Sequence, residues 1–246
     1  MPGKRNNILR LHFCVWTDSD SAWMARDVWE ACEVTELRPT EGRPCFGGLD
    51  LSYKRDLTAF ARVWSQSDGT YDAEVTFWSP DETISTREET DRVPYRTWRD
   101  EGYMLTTPSK TVEYGHVVPF LASCGDMEVV AYDRWRIDLM KQALDTFGVE
   151  LPLKEHGQGF KDMSPAVDAL EGAILNGKLR VKYNPVLRWN VASAVIDTDP
   201  AGGRKFAKNK STGRIDGVVA LAMAMAMATG TEVVDLDAFL NDPIRG

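Results

Sequence analysis

Cys45-Phe46-Gly47-Gly48-Leu49-Asp50-Leu51-Ser52, followed at once by Tyr53-Lys54-Arg55-Asp56-Leu57-Thr58-Ala59-Phe60-Ala61-Arg62-Val63-Trp64, reads as a strand, a tight polar turn and a second strand. Side chains alternate across a strand, so Phe46, Gly48, Asp50 and Ser52 share one face and Leu49, Leu51 and Tyr53 the other. A carboxylate at this point of a buried strand is costly unless something pairs with it. A metal ion is one such partner; a lysine or backbone amides are the others.

Working outward, Leu57–Ser65 and Tyr71–Ser79 flank Ser67-Asp68-Gly69. Asp-Gly between two β-prone runs signals a hairpin, so residues 45–79 are expected to form three antiparallel strands. Residues 80–127 are less regular, with helices expected over Pro94–Glu101 and Thr111–Ser123 and a short extended piece at Tyr103–Thr106. Met127-Glu128-Val129-Val130-Ala131-Tyr132 then reads as a buried strand with Asp133 at its carboxyl end. Arg134–Phe147 has helical apolar spacing and stops at Gly148, and Val149–Lys154 is a further strand. Strand, helix, strand in that order implies a parallel pair joined by a crossover. Ligands of open α/β sheets sit beyond the carboxyl ends of such strands, which is where Asp133 lies.

Ser164-Pro165 reads as an N-cap with proline at the first helical position. Lys178–Tyr183 is expected to be extended and Pro185–Ala194 helical. Ala194–Thr198 and Arg204–Ala207 flank Pro200-Ala201-Gly202-Gly203 as a basic hairpin. The last helix, from near Thr212 to Ala228, is apolar nearly all round and therefore belongs in a core. Its apolar run of about eleven residues falls short of the roughly 18 that a bilayer span needs. Asp216 lies in its first turn, where the helix dipole favours an ionised carboxylate.

Composition sets the limits. The chain of 246 residues suits one α/β domain with appendages, and 43% hydrophobic content with eight tryptophans fills a sizeable core. Residues 1–44 read as an arm or linker containing a short helix over Ser21–Cys32, residues 45–230 as the domain, and 231–246 as an acidic tail. No signal-peptide core follows the basic N-terminus. Cys14, Cys32, Cys45 and Cys124 show no CxxC pairing and read as free thiols. His12, His116 and His156 are too scattered for a histidine metal site, and His156 reads as a surface or core histidine rather than a base.

Net charge is −8, but Lys154–Arg214 holds 11 Lys/Arg against 6 Asp/Glu, a local +5 that leaves −13 for the rest. Arg204, Lys205, Lys208 and Lys210 within that block, with Lys161 beside a glycine-rich turn, are the candidates for holding DNA phosphates without reading sequence. A solvated basic loop is the alternative.

Three antiparallel strands, a strand–helix–strand unit and a late packing helix give the order of the ribonuclease H-like fold, an α/β mixed sheet flanked by helices. In that fold the strands ending at Asp50 and Asp133 lie side by side, and a late helix brings Asp216 to the same point. Three carboxylates without a histidine cluster make a hard-oxygen site suited to Mg²⁺ or Mn²⁺. Two such ions can activate a water and steady the leaving oxygen of a phosphodiester. Asp56 is a further acid near the site in sequence.

The sequence resembles the C-terminal nuclease domain of the large terminase subunit of tailed double-stranded DNA phages. The matching pieces run in family order: Gly48-Leu49-Asp50-Leu51-Ser52 with Asp56-Leu57-Thr58-Ala59, Ala131-Tyr132-Asp133-Arg134-Trp135, Gly157-Gln158-Gly159-Phe160-Lys161-Asp162-Met163-Ser164, Asn184-Pro185-Val186-Leu187-Arg188-Trp189 and Gly213-Arg214-Ile215-Asp216-Gly217. The resemblance implies a metal-dependent endonuclease that cuts concatemeric double-stranded DNA during packaging in the host cytoplasm. It assigns the metal ligands to Asp50, Asp133 and Asp216, with the portal and the small terminase subunit as partners and no membrane. Residues 1–44 would then end a motor region or link to one. No GxxxxGK[ST] loop occurs in the chain, so the ATPase domain that such subunits carry upstream is expected to lie outside it. Other ribonuclease H-like enzymes, such as a resolvase or transposase core, and a non-catalytic DNA-binding packaging domain are the competing readings.

Overall fold

The computed structural model describes residues 22–52, 57–134 and 137–230. Its elements run in chain order as α1 (Arg26–Glu30), β1 (Glu33–Val34), β2 (Cys45–Asp50), β3 (Thr58–Ser65), β4 (Tyr71–Pro80), α2 (Ile84–Asp91), α3 (Tyr95–Asp100), β5 (Leu105–Thr107), α4 (Tyr114–Ser123) and β6 (Val129–Tyr132). There follow α5 (Ile137–Phe147), β7 (Leu153–Glu155), α6 (Phe160–Leu175), β8 (Leu179–Lys182), α7 (Pro185–Ser193), β9 (Ile196–Thr198), β10 (Arg204–Phe206) and α8 (Asp216–Ala228).

The expected meander forms. β2 and β3 pair antiparallel, as do β3 and β4, from Ser65↔Tyr71 at the turn to Thr58↔Trp78 at the far end. Gly69 takes φ +76° in that turn, a conformation open to glycine, and the Asp68 carboxylate accepts the Thr70 N–H at 3.0 Å. On its other edge β2 pairs parallel with β6, Gly48 opposite Ala131 and Leu49 opposite Tyr132, and β6 pairs parallel with β7. The sheet order is β1-β8-β4-β3-β2-β6-β7, with β5 also on β4.

Alternation along β2 and β3 divides the core. Leu49, Phe60, Trp78, Val130 and Tyr132 face α4 and α5. Ala59, Ala61, Val63, Val75 and Phe77 face α6, α7 and α8. Small residues on β3 leave room for α8 to lie directly on the sheet, and every residue from Asp216 to Ala226 is buried. Each fully buried Val or Met of this helix contributes about 1.5–3 kcal/mol by leaving water.

Two expectations change, and two elements add to what was expected. The described part of the arm is not a separate linker: Trp29 is fully buried, β1 extends the sheet through Glu33↔Val181, and the Trp23 N–H donates to the Ala194 carbonyl at 2.9 Å. Ser164 does not cap a helix. α6 starts four residues earlier at Phe160, after Gly159, and carries Pro165 inside it. The Ser164 hydroxyl instead accepts the Arg204 N–H at 3.1 Å, an anchor for the hairpin β9–β10. α2 had no apolar period to reveal it; only Ile84 and Arg87 of its residues are buried. β8 joins the main sheet, parallel to β4 through Tyr71↔Leu179 and to β1. The acidic tail falls outside the described residues. Among the described residues no helix is long and apolar enough to cross a membrane.

Candidate active site

β2 ends at Asp50, and Asp133 follows β6 by one residue. Since Leu49 stands opposite Tyr132 in a parallel pair, the next residues along, Asp50 and Asp133, come side by side at the carboxyl ends of their strands. α8 reaches the same place through glycine. A Cβ on Gly48 would overlap the Ala220 carbonyl oxygen and stand 2.8 Å from the Ala224 nitrogen, so helix backbone rests on strand backbone there. Asp50 lies two residues beyond Gly48 on the same strand face. Asp216 lies four residues before Ala220 on the same helix face. The close approach at Gly48 thus brings the two carboxylates to one end of the sheet. All three aspartates are buried.

Their partners are specific. Lys208 Nζ donates to Asp50 Oδ2 at 2.8 Å and to Asp216 Oδ1 at 3.4 Å. Gln158 Nε2 donates to Asp50 Oδ1 at 3.3 Å, and the Leu57 N–H donates to Asp216 Oδ2 at 3.2 Å. Burial pushes the Asp50 carboxyl above the usual carboxylate range; Lys208 and the Gln158 hydrogen bond oppose the rise, and the neighbouring Asp133 charge adds to it. Of the pairings open to Asp50 in the sequence, the lysine is present, at 2.8 Å.

Two supports fix this geometry. The His156 N–H donates to the Tyr132 carbonyl at 2.8 Å, which carries the chain past β6 and delivers Gln158 to Asp50. Asn190 Oδ1, on α7, accepts the Gly217 N–H at 2.7 Å and so holds the first turn of α8. Neither Gln158 nor Asn190 was singled out as a site residue from sequence. The place of Gln158 between two glycines, straight after a parallel strand, and its presence in one of the family-matching pieces are the signals that pointed to it.

The basic residues separate. Lys208, rooted at the surface, sends its ammonium into the acid cluster. Arg204 is engaged by α6, donating to Asp168 at 3.1 Å and to Glu171 at 2.8 Å. Lys210 pairs with Asp197 at 2.7 Å, and Lys205 Nζ stands 4.5 Å from the Phe160 ring centre. Lys161 is exposed on the first turn of α6. Asp56 lies outside the described residues.

Three oxygen-donor carboxylates and a side-chain amide fit a hard divalent cation by chemistry. Among the described residues no three His, Cys, Asp or Glu side chains stand drawn together as a finished metal cage. The ammonium of Lys208 lies between two of the acids instead.

The family model of the terminase large subunit, endonuclease domain, matches residues 2–232. The chain belongs to the terminase large-subunit endonuclease-domain family. It is 42% identical over 251 aligned positions to the terminase large subunit of Enterobacteria phage HK97, covering 99% of this chain and 49% of that protein. It is 26% identical to protein YmfN of Escherichia coli K12, covering 86% of this chain and 50% of the relative. The chain therefore spans about half the length of these curated relatives. The crystal structure of the HK97 large terminase superposes with a TM-score of 0.79 over 92% of this chain and 48% of that one. The large terminase nuclease of thermophilic phage G20c, solved with bound magnesium, superposes at 0.53 with 12% identity, over 85% of this chain and 98% of its own, which shows a shared fold. The ribonuclease H-like fold of this terminase nuclease domain is thus the one expected from its strand order.

Proposed function

We propose that this terminase domain is a divalent-metal-dependent endonuclease that cuts concatemeric double-stranded DNA during phage genome packaging. The observation that carries the reading is the delivery of Asp50, Asp133 and Asp216 to one end of the sheet by two parallel strands and a buried helix. Membership of the endonuclease-domain family supports it, and the magnesium bound to the G20c nuclease agrees with an all-oxygen donor set.

In this reading Asp50, Asp133 and Asp216 would hold Mg²⁺ or Mn²⁺. Bound there, the ions supply a nucleophilic water and charge compensation at the leaving oxygen. The chain's own part is positional. Gln158 holds one Asp50 oxygen, the Leu57 amide holds one Asp216 oxygen, and Asn190 holds the helix that carries Asp216. Lys161, Lys205 and Lys210 are the phosphate contacts, fixing the duplex without reading bases. Arg204 contributes by anchoring the hairpin on which Lys205 stands. The portal, the small terminase subunit and an ATPase motor on the remainder of the large subunit are the proposed partners, and the host cytoplasm is the proposed setting.

Plasmid nicking with Mn²⁺ tests the reading. The wild-type chain is expected to cut, and Asp133→Asn is expected to abolish cutting with an unchanged circular-dichroism spectrum. Undiminished nicking by Asp133→Asn rejects the assigned role, and no cutting by either protein favours a non-catalytic packaging domain.

A further inference from the structure

Lys208 is placed unlike the other basic residues of its segment. Arg204 and Lys210 pair with acids on α6 and β9, away from the buried carboxylates. Lys208 sends its ammonium to Asp50 Oδ2 at 2.8 Å and Asp216 Oδ1 at 3.4 Å, two carboxylates whose side chains are only 4% and 3% exposed. Its own side chain is 40% exposed. It stands between β10 and α8, outside both. A charge on a flexible four-carbon stem, rooted at the surface, can leave such a position without unpacking a core.

From this geometry we infer that Lys208 is the resident cation of the acid cluster, which a divalent ion must displace in order to bind. The inference rests on the metal reading proposed above and adds to it the residue that sets the threshold for metal. Buried carboxylates brought together without a counter-charge repel one another and lose hydration. An ammonium within hydrogen-bonding distance of two of them supplies that counter-charge in the metal-free protein. It also engages oxygens of Asp50 and Asp216 that a metal ion held by these residues would use. Metal and ammonium therefore compete for the same oxygens. Removing the ammonium leaves the cluster more negative, more receptive to metal and less stable without it.

The test is calorimetric titration of the 246-residue chain with Mn²⁺ in the absence of DNA, together with melting temperatures with and without Mn²⁺. The proteins compared are wild type, Lys208→Met and Lys208→Arg. Lys208→Met keeps the length of the stem and removes the charge. It is expected to bind Mn²⁺ roughly tenfold more tightly, the scale of one nearby charge in a partly solvated site. Its melting temperature is expected to fall without metal and to recover with Mn²⁺. Lys208→Arg, which keeps the charge, is expected to stay near wild type. Equal Mn²⁺ affinity in wild type and Lys208→Met overturns the inference and leaves Lys208 as an ordinary phosphate contact, while the metal reading stands. Weaker affinity in Lys208→Met overturns it as well, since the ammonium would then assist binding. No Mn²⁺ binding by any of the three proteins sinks the metal reading and this inference with it.

Discussion

His156 is buried one residue after β7, its ring Nδ1 3.0 Å from the Gly157 carbonyl and its backbone N–H on Tyr132. Burial holds its imidazole below the ordinary value of 6.5 and Lys154 adds to that, whereas Asp162 and the Gly157 carbonyl oppose it. Above pH 6.5 the ring is neutral folded and unfolded, and it costs nothing. As pH falls from there, the unfolded chain takes up a proton that the folded chain resists, so stability drops until the folded value is passed. The slope cannot exceed about 1.4 kcal/mol per pH unit for one group. Denaturant melts at pH 7.5, 6.5 and 5.5 are expected to show wild type losing stability faster than His156→Phe between pH 6.5 and 5.5. Parallel loss in both proteins contradicts this account of His156. At this scale the sequence was readable for the acids and much less so for their partners. Asp50, Asp133 and Asp216 announce themselves by standing at the ends of apolar elements. Gln158, Asn190 and the aim of Lys208 depend on which distant segments meet, and local pattern carries no record of that.

At the level of elements, the contact between β2 and α8 decides whether the acids meet. Gly48 is a glycine because helix backbone occupies the place of a side chain: the Ala220 carbonyl oxygen and the Ala224 nitrogen leave no room for a Cβ. Gly217 is similarly confined by the Phe77 ring and by Asn190 Oδ1 at 3.0 Å. Backbone cannot move aside as a flexible side chain does, so Gly48→Ala must lift α8 from the sheet. A loss of about 1–3 kcal/mol, the usual cost of overpacking a core, is expected in urea unfolding. Because Asp216 rides on the same helix, Mn²⁺ binding is expected to weaken along with stability. A variant of full stability and full Mn²⁺ affinity contradicts this account of the contact. The meander and the β6–α5–β7 crossover were legible because alternation, an Asp-Gly turn and helical spacing are local signals. The pairing of four-residue β8 between β1 and β4 was not, because its partners lie more than a hundred residues away along the chain. Pro165 misled for a related reason: proline marks a first helical turn on average, yet here packing of Met163, Ala166 and Val167 into the core extends α6 ahead of it.

Across the whole molecule, charge and topology are divided unevenly. A chain of net −8 keeps its basic excess in the segment from Lys154 to Arg214, which brings Gln158 and Lys208 to the acids. In the proposed function the acidic body would discourage non-specific hold on DNA and the basic segment would supply it near the site. The described residues of the N-terminal segment, read from sequence as a linker, add β1 to the sheet edge and Trp29 to the core. Their polar, unpatterned run hides that role, since two residues of strand carry no period. The central claim is nonetheless a single one: three acids from distant parts of the chain form one cation site. Diffraction from crystals soaked in Mn²⁺, with data collected at the manganese absorption edge, addresses it directly. The account predicts anomalous density among the carboxylate oxygens of Asp50, Asp133 and Asp216, with the Lys208 ammonium moved off Asp50. Fully soaked crystals with no anomalous density there, or with manganese bound only elsewhere, would contradict it.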